Sequence, residues 1–89
     1  MRLKKIGSNM SEVEINGSFV LFSYETPVAG RSIKAPSGDD YEKDGFFKTS
    51  THYSATTTRH INKYFKNEWN IDGKEVEEVS QDFINGLVR

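Results

Sequence analysis

From Ser11 to Asn16, Glu12 and Glu14 alternate with Val13 and Ile15, the period of two expected of a strand with one wet face. Asn16-Gly17 follows, a pair that tolerates positive φ in a two-residue hairpin. That loop sets Ile15 opposite Ser18, Glu14 opposite Phe19, Val13 opposite Val20 and Glu12 opposite Leu21, with opposed residues sharing a face. One face then carries Val13, Ile15, Val20, Phe22 and Tyr24, and is expected to receive the main helix. The other mixes Glu12 and Glu14 with Phe19 and Leu21. Two large apolar side chains on the outer face of a two-layer domain point to a third layer, a dimer contact or a partner surface, unless the chain's own loops cover them. Phe19 and Leu21 are therefore the candidate interface.

The period changes at Tyr53–Trp69. Ile61, Tyr64, Phe65 and Trp69 recur at helical spacing on one face, leaving Arg59, Asn62, Lys63 and Lys66 towards water. Thr56 and Thr57 stand where a hydroxyl can cap the first turn, and Asn67 or Asn70 can end the helix. Around this helix, residues 3–6 read as a short strand, Thr26-Pro27 as a break, and Val28 to Ile33 as a returning strand. Ala35 to Gly45 is polar and rich in turn formers, which predicts an exposed, flexible loop. Phe46 to Tyr53 suits a strand that feeds the helix. Val76, Val79, Phe83, Ile84 and Leu87 also match one helical stripe, but Ser80 followed by Gln81-Asp82 marks a later start, with Glu75 to Val79 extended or irregular. The whole is expected to be a single α+β domain over residues 1–89: a small antiparallel sheet of about four strands, packed on one main α-helix and a short C-terminal helix.

Composition narrows the chemistry. Eighty-nine residues make one domain with a modest core, and the chain has no cysteine for a disulfide or a thiolate. No segment approaches the roughly 20 apolar residues of a membrane-spanning helix, so a cytoplasmic protein with no membrane partner is expected. Twelve basic and thirteen acidic residues give a net charge of −1, short of the excess usual in a nucleic-acid-binding domain. Distribution tempers that total: Arg59, Lys63 and Lys66 form a basic helix face that Arg31, Lys34 and Lys48 can extend.

Catalytic and metal motifs are weak. Asp40, Glu42 and Asp44 before Gly45 imitate the opening of a calcium loop, but the twelfth position is Thr51, which supplies no bidentate carboxylate. His52 and His60 are the only histidines and lack metal-ligand spacing. No Gly-x-Ser-x-Gly or phosphate-binding glycine loop occurs. Thr56, Thr57, Arg59 and His60 cluster at a helix start, where exposed N–H groups favour a phosphate or carboxylate; the plainer reading makes the threonines caps and Arg59 a solvated cation. No metal and no cofactor is expected, and no enzyme activity.

Phe19 to Arg31 (FVLFSYETPVAGR) and Ser54 to Phe65 (SATTTRHINKYF) together resemble a group of small uncharacterised proteins encoded by bacteriophages. The matching positions are Phe22 to Ala29 and Thr57 to Lys63, and the insert from Ala35 to Gly45 is longer than in that group. The resemblance implies expression in a host bacterial cytoplasm and carries no catalytic or binding residues with it. The expected function is noncatalytic: protein binding, either self-association as a homo-oligomer or capture of a host or phage protein. The alternative is nucleic-acid binding through the basic face of the 57–66 helix, using Thr56, Thr57, Arg59, His60, Lys63 and Lys66.

Overall fold

The computed structural model describes residues 2–7, 9–15, 17–32, 45–73 and 76–88. Its centre is a sheet of six strands in sequence order: β1 (Arg2–Gly7), β2 (Met10–Ile15), β3 (Ser18–Ser23), β4 (Thr26–Arg31), β5 (Phe46–Thr49) and β6 (Glu77–Val79). Neighbours are antiparallel except β5 and β6, which run parallel because the chain crosses back through a helix. The fold is thus α+β, with two strands more than expected and one parallel pair. β1 falls on the short strand read at residues 3–6, and β6, with three residues, on the stretch read as extended or irregular.

The β2–β3 hairpin has the register that a two-residue loop dictates, from Ile15 opposite Ser18 to Glu12 opposite Leu21. Pro27 does not break the sheet as expected. β4 begins at Thr26, and the register slips there so that Phe22 opposes Pro27 while Leu21 opposes Ala29. Val28 is the extra residue of a bulge, a place where a proline without an N–H is tolerated. Further along β4, Gly30 sits at φ +154°, and a Cβ there would strike the carbonyl oxygen of Phe19. The close passage of β3 and β4 requires glycine.

Helix α1 (Ala55–Tyr64) continues into a π-helical turn (Phe65–Trp69), and α2 spans Gln81–Leu87. The cap of α1 is Ser54, one turn ahead of Thr57 and two residues before Thr56: its Oγ accepts the Thr57 N–H at 3.1 Å. At the other end Asn70 takes the left-handed conformation, and the N–H groups of Asn70 and Ile71 both reach the Phe65 carbonyl. Asn70, and not Asn67, is the terminator. Ser80 caps α2 as its sequence indicates, accepting the Phe83 N–H at 3.2 Å.

The helices lie on opposite faces of the sheet, which gives three layers. Leu21, Val28 and Ala29 are buried with Ile61, Tyr64 and Phe65 of α1, whereas Val20 and Phe47 are buried with Ile84 of α2. The expectation that Val13, Ile15, Val20, Phe22 and Tyr24 receive the main helix is therefore reversed. The main helix packs on the hairpin's other face, through Met10 and Leu21, and on Val28, Ala29 and Phe46 beyond it, so the hairpin's own tally of hydrophobes misleads. Tyr24 takes neither face; it is 55% exposed in the β3–β4 turn with φ +58°. The expected loop over 35–45 lies outside the described residues except for Gly45, which is buried and accepts the Ser32 N–H at 2.9 Å.

Candidate functional site

The hydroxyl-rich start of α1 is divided between two directions. Thr57 is buried, and its Oγ1 lies 3.3 Å from the Ser23 hydroxyl of β3. His60 faces the same strand, with Nδ1 2.8 Å from Ser23 Oγ and its ring tilted against Tyr24 at 5.8 Å. Thr56 and Arg59 point away from both and are exposed. The sequence-adjacent quartet is thus split between an inward pair that fastens α1 to β3 and an outward pair in solvent. Ser23 beside His60 has the look of a nucleophile and base, but Ser23 is only 2% exposed under the helix. The arrangement is a polar pin between layers.

The basic face divides in the same way. Lys63 and Lys66 are exposed on α1 and its π turn, together with Arg59. Arg31 does not extend them, because its guanidinium stacks 5.3 Å from the Trp69 ring and 5.6 Å from Phe46. Lys48 is drawn inward, donating to the Gly73 carbonyl at 2.8 Å. It lines a polar crevice of about 220 Å³ where β5 ends and α1 begins, with His52, Asn62 and Glu78 on its walls. Lys34, Asp40, Glu42 and Asp44 lie outside the described residues. Among the described residues no group of three or more histidine, cysteine or acidic side chains is placed to hold a metal ion.

Phe19 and Leu21 part company too. Leu21 is 0% exposed beneath α1, so it belongs to the core and offers no surface; the third layer that its position called for is the helix itself. Phe19 remains half-buried. One side of its ring meets Trp69 edge-on at 5.7 Å, and it also lines a groove of about 430 Å³ with Leu3, Lys4, Glu12 and Glu14. That groove opens at the edge of the sheet formed by β1, which among the described residues pairs with β2 alone.

Sequence reasoning read a strand at residues 3–6 but not its edge position, although a signal was present as an apolar residue in a basic run at residues 2–5. Leu3 is 70% exposed, an unusual position for a leucine in the middle of a strand. Lys4 reaches across to the π turn, with Nζ 3.6 Å from Glu68. Behind it the Tyr64 hydroxyl donates to Glu12 Oε2 at 2.6 Å, which ties the inner wall of the groove to α1. Burial first, and then the bond to Glu12, push the Tyr64 phenol far above its ordinary value, so it stays a neutral donor. The result is a braced wall beside a row of backbone donors and acceptors that no strand among the described residues covers.

A mixed sheet flanked by helices by itself assigns no chemistry. The chain belongs to a family of unknown function (DUF8033), whose model matches residues 1–86. No curated protein and no solved structure matches it. No helix among the described residues is long and apolar enough to cross a membrane.

Proposed function

We propose that the chain is a noncatalytic protein-binding module that engages a partner polypeptide along the open edge of β1. The observation that carries this reading is the exposure of Leu3, 70% accessible on a six-residue strand that, among the described residues, pairs with β2 alone, at the same sheet edge as the groove lined by Phe19. An unpaired strand edge supplies main-chain hydrogen bonds to an added strand, and an adjoining apolar side chain gives that strand something to bury. The inaccessibility of Ser23, with His60 turned onto it, supports the noncatalytic reading, since a nucleophile must meet its substrate. The resemblance of Phe22 to Ala29 and Thr57 to Lys63 to phage-encoded proteins supports a setting in the host bacterial cytoplasm.

A selection of random extended peptides displayed against the chain tests this directly. Peptides are expected to be enriched, and Leu3→Lys is expected to lose them while keeping the fold. Recovery of no binders, or of binders indifferent to Leu3→Lys, overturns the proposal. The alternative reading, nucleic-acid binding, is supported by the exposure of Arg59, Lys63 and Lys66 and weakened by the inward commitments of Arg31 and Lys48. A salt titration with random DNA and RNA decides it, because a phosphate-driven interaction strengthens steeply as salt falls. Absence of binding at low salt removes that reading.

A further inference from the structure

The charge pattern along β1 specifies what the edge accepts, on the footing of the function just proposed. Leu3 opposes Val13, so Leu3 and Lys5 share the α2 face, while Lys4 lies on the α1 face with its cross-strand partner Glu12. A second copy pairing antiparallel about a two-fold axis normal to the sheet keeps its faces aligned. The Lys4-centred register then sets Lys4 against its own copy, and the Lys5-centred one does the same with Lys5. Each puts like charges directly opposite, which is destabilising in an antiparallel pair. In the lysine-centred registers the edge is therefore guarded against self-pairing, as lysines on exposed edges commonly are.

The same residues favour one heterologous occupant. Lys4 is already shared with Glu68, whereas Lys5 has the neutral Ser11 across the ladder. A strand added at β1 has one residue opposite Leu3 and, two positions away on the same face, one opposite Lys5. We infer that β1 takes up an extended polypeptide segment bearing an apolar residue and an acidic residue two positions apart, as a seventh strand, and that a second copy of this chain is not its occupant. The apolar side chain covers Leu3, and the carboxylate pairs with Lys5.

Amide chemical-shift titration of the full chain with synthetic octapeptides tests the inference. The probe is an octapeptide with valine and glutamate two positions apart; the comparison has lysine in place of the glutamate. The glutamate peptide is expected to bind about threefold to tenfold more tightly to the wild type, and Lys5→Glu is expected to reverse that order. Sedimentation equilibrium on the chain alone is expected to give the monomer mass. Equal affinity for the two peptides, no reversal by Lys5→Glu, or a dimer that Leu3→Lys dissolves would each overturn the inference. The last of these, or binding without charge preference, would leave protein binding at β1 standing. Loss of the broader reading has its own signature, namely that no extended peptide moves the β1 amides at all.

Discussion

Tyr64 offers the most quantitative handle on how α1 is seated. Its ring is 1% exposed, and its hydroxyl donates to Glu12 on the face that Leu21 shares. Because burial and the carboxylate both raise the folded-state pKa, the phenol's contribution to stability is complete below the unfolded value, about 10, and is lost as pH rises from there towards the folded value. The unfolded chain then releases a proton that the folded chain keeps, and stability falls by about 1.4 kcal/mol per pH unit once well above pH 10. Relative to pH 9, that amounts to about 1.4 kcal/mol at pH 11 and about 2 kcal/mol at pH 11.5. Tyr64→Phe isolates the effect from other groups that titrate in this range. At pH 7 the variant should be less stable by about 1 to 1.5 kcal/mol, the value of a hydrogen bond to a partly solvated carboxylate. That gap should close near pH 11 and reverse above it. Urea unfolding followed by Trp69 fluorescence, on both proteins from pH 7 to 11.5, gives the two curves. A gap that stays constant over the whole range would refute the placement of Tyr64 as a buried neutral donor to Glu12.

The remaining predictions concern single positions and the same unfolding assay. Ser54→Ala should cost about 1 kcal/mol through loss of the α1 cap, whereas Thr56→Ala, on the exposed side of the first turn, should stay within a few tenths. Gly30→Ala should cost about 2 kcal/mol or more, because the added Cβ meets backbone at Phe19 and not a flexible side chain. Leu21→Ala should cost about 3 kcal/mol from the core between β3 and α1, while Leu3→Lys should remain within about 0.5 kcal/mol. A similar cost for Leu21 and Leu3 would contradict the three-layer arrangement.

Local chemistry made much of this fold legible. The alternation of Glu12, Val13, Glu14 and Ile15 and the Asn16-Gly17 step were enough for the hairpin register, and the spacing of Ile61, Tyr64 and Phe65 for the buried stripe of α1. Ser80 marked the start of α2 because a cap followed by an acid is a local signal. What could not be read was which helix meets which face. That depends on partners distant in sequence, such as Val28 and Ala29, whose faces are set by a bulge at Pro27. The division of the candidate site could not be read for a related reason. Thr56, Thr57, Arg59 and His60 are neighbours in sequence, but helical rotation sends Thr57 and His60 to Ser23 and the other two to water. Phe19 and Leu21 are likewise two residues apart on one face. Only the full topology shows that Leu21 lies under the middle of a helix and Phe19 at the margin of an open edge.

The central claim is that this margin is where the protein meets its partner. Its most direct test is an amide chemical-shift map of the chain saturated with a peptide recovered by selection. The account predicts that the largest changes fall on Arg2 to Gly7, with smaller ones at Glu12, Glu14 and Phe19. Changes concentrated instead on Arg59, Lys63 and Lys66, with β1 unmoved, would contradict it.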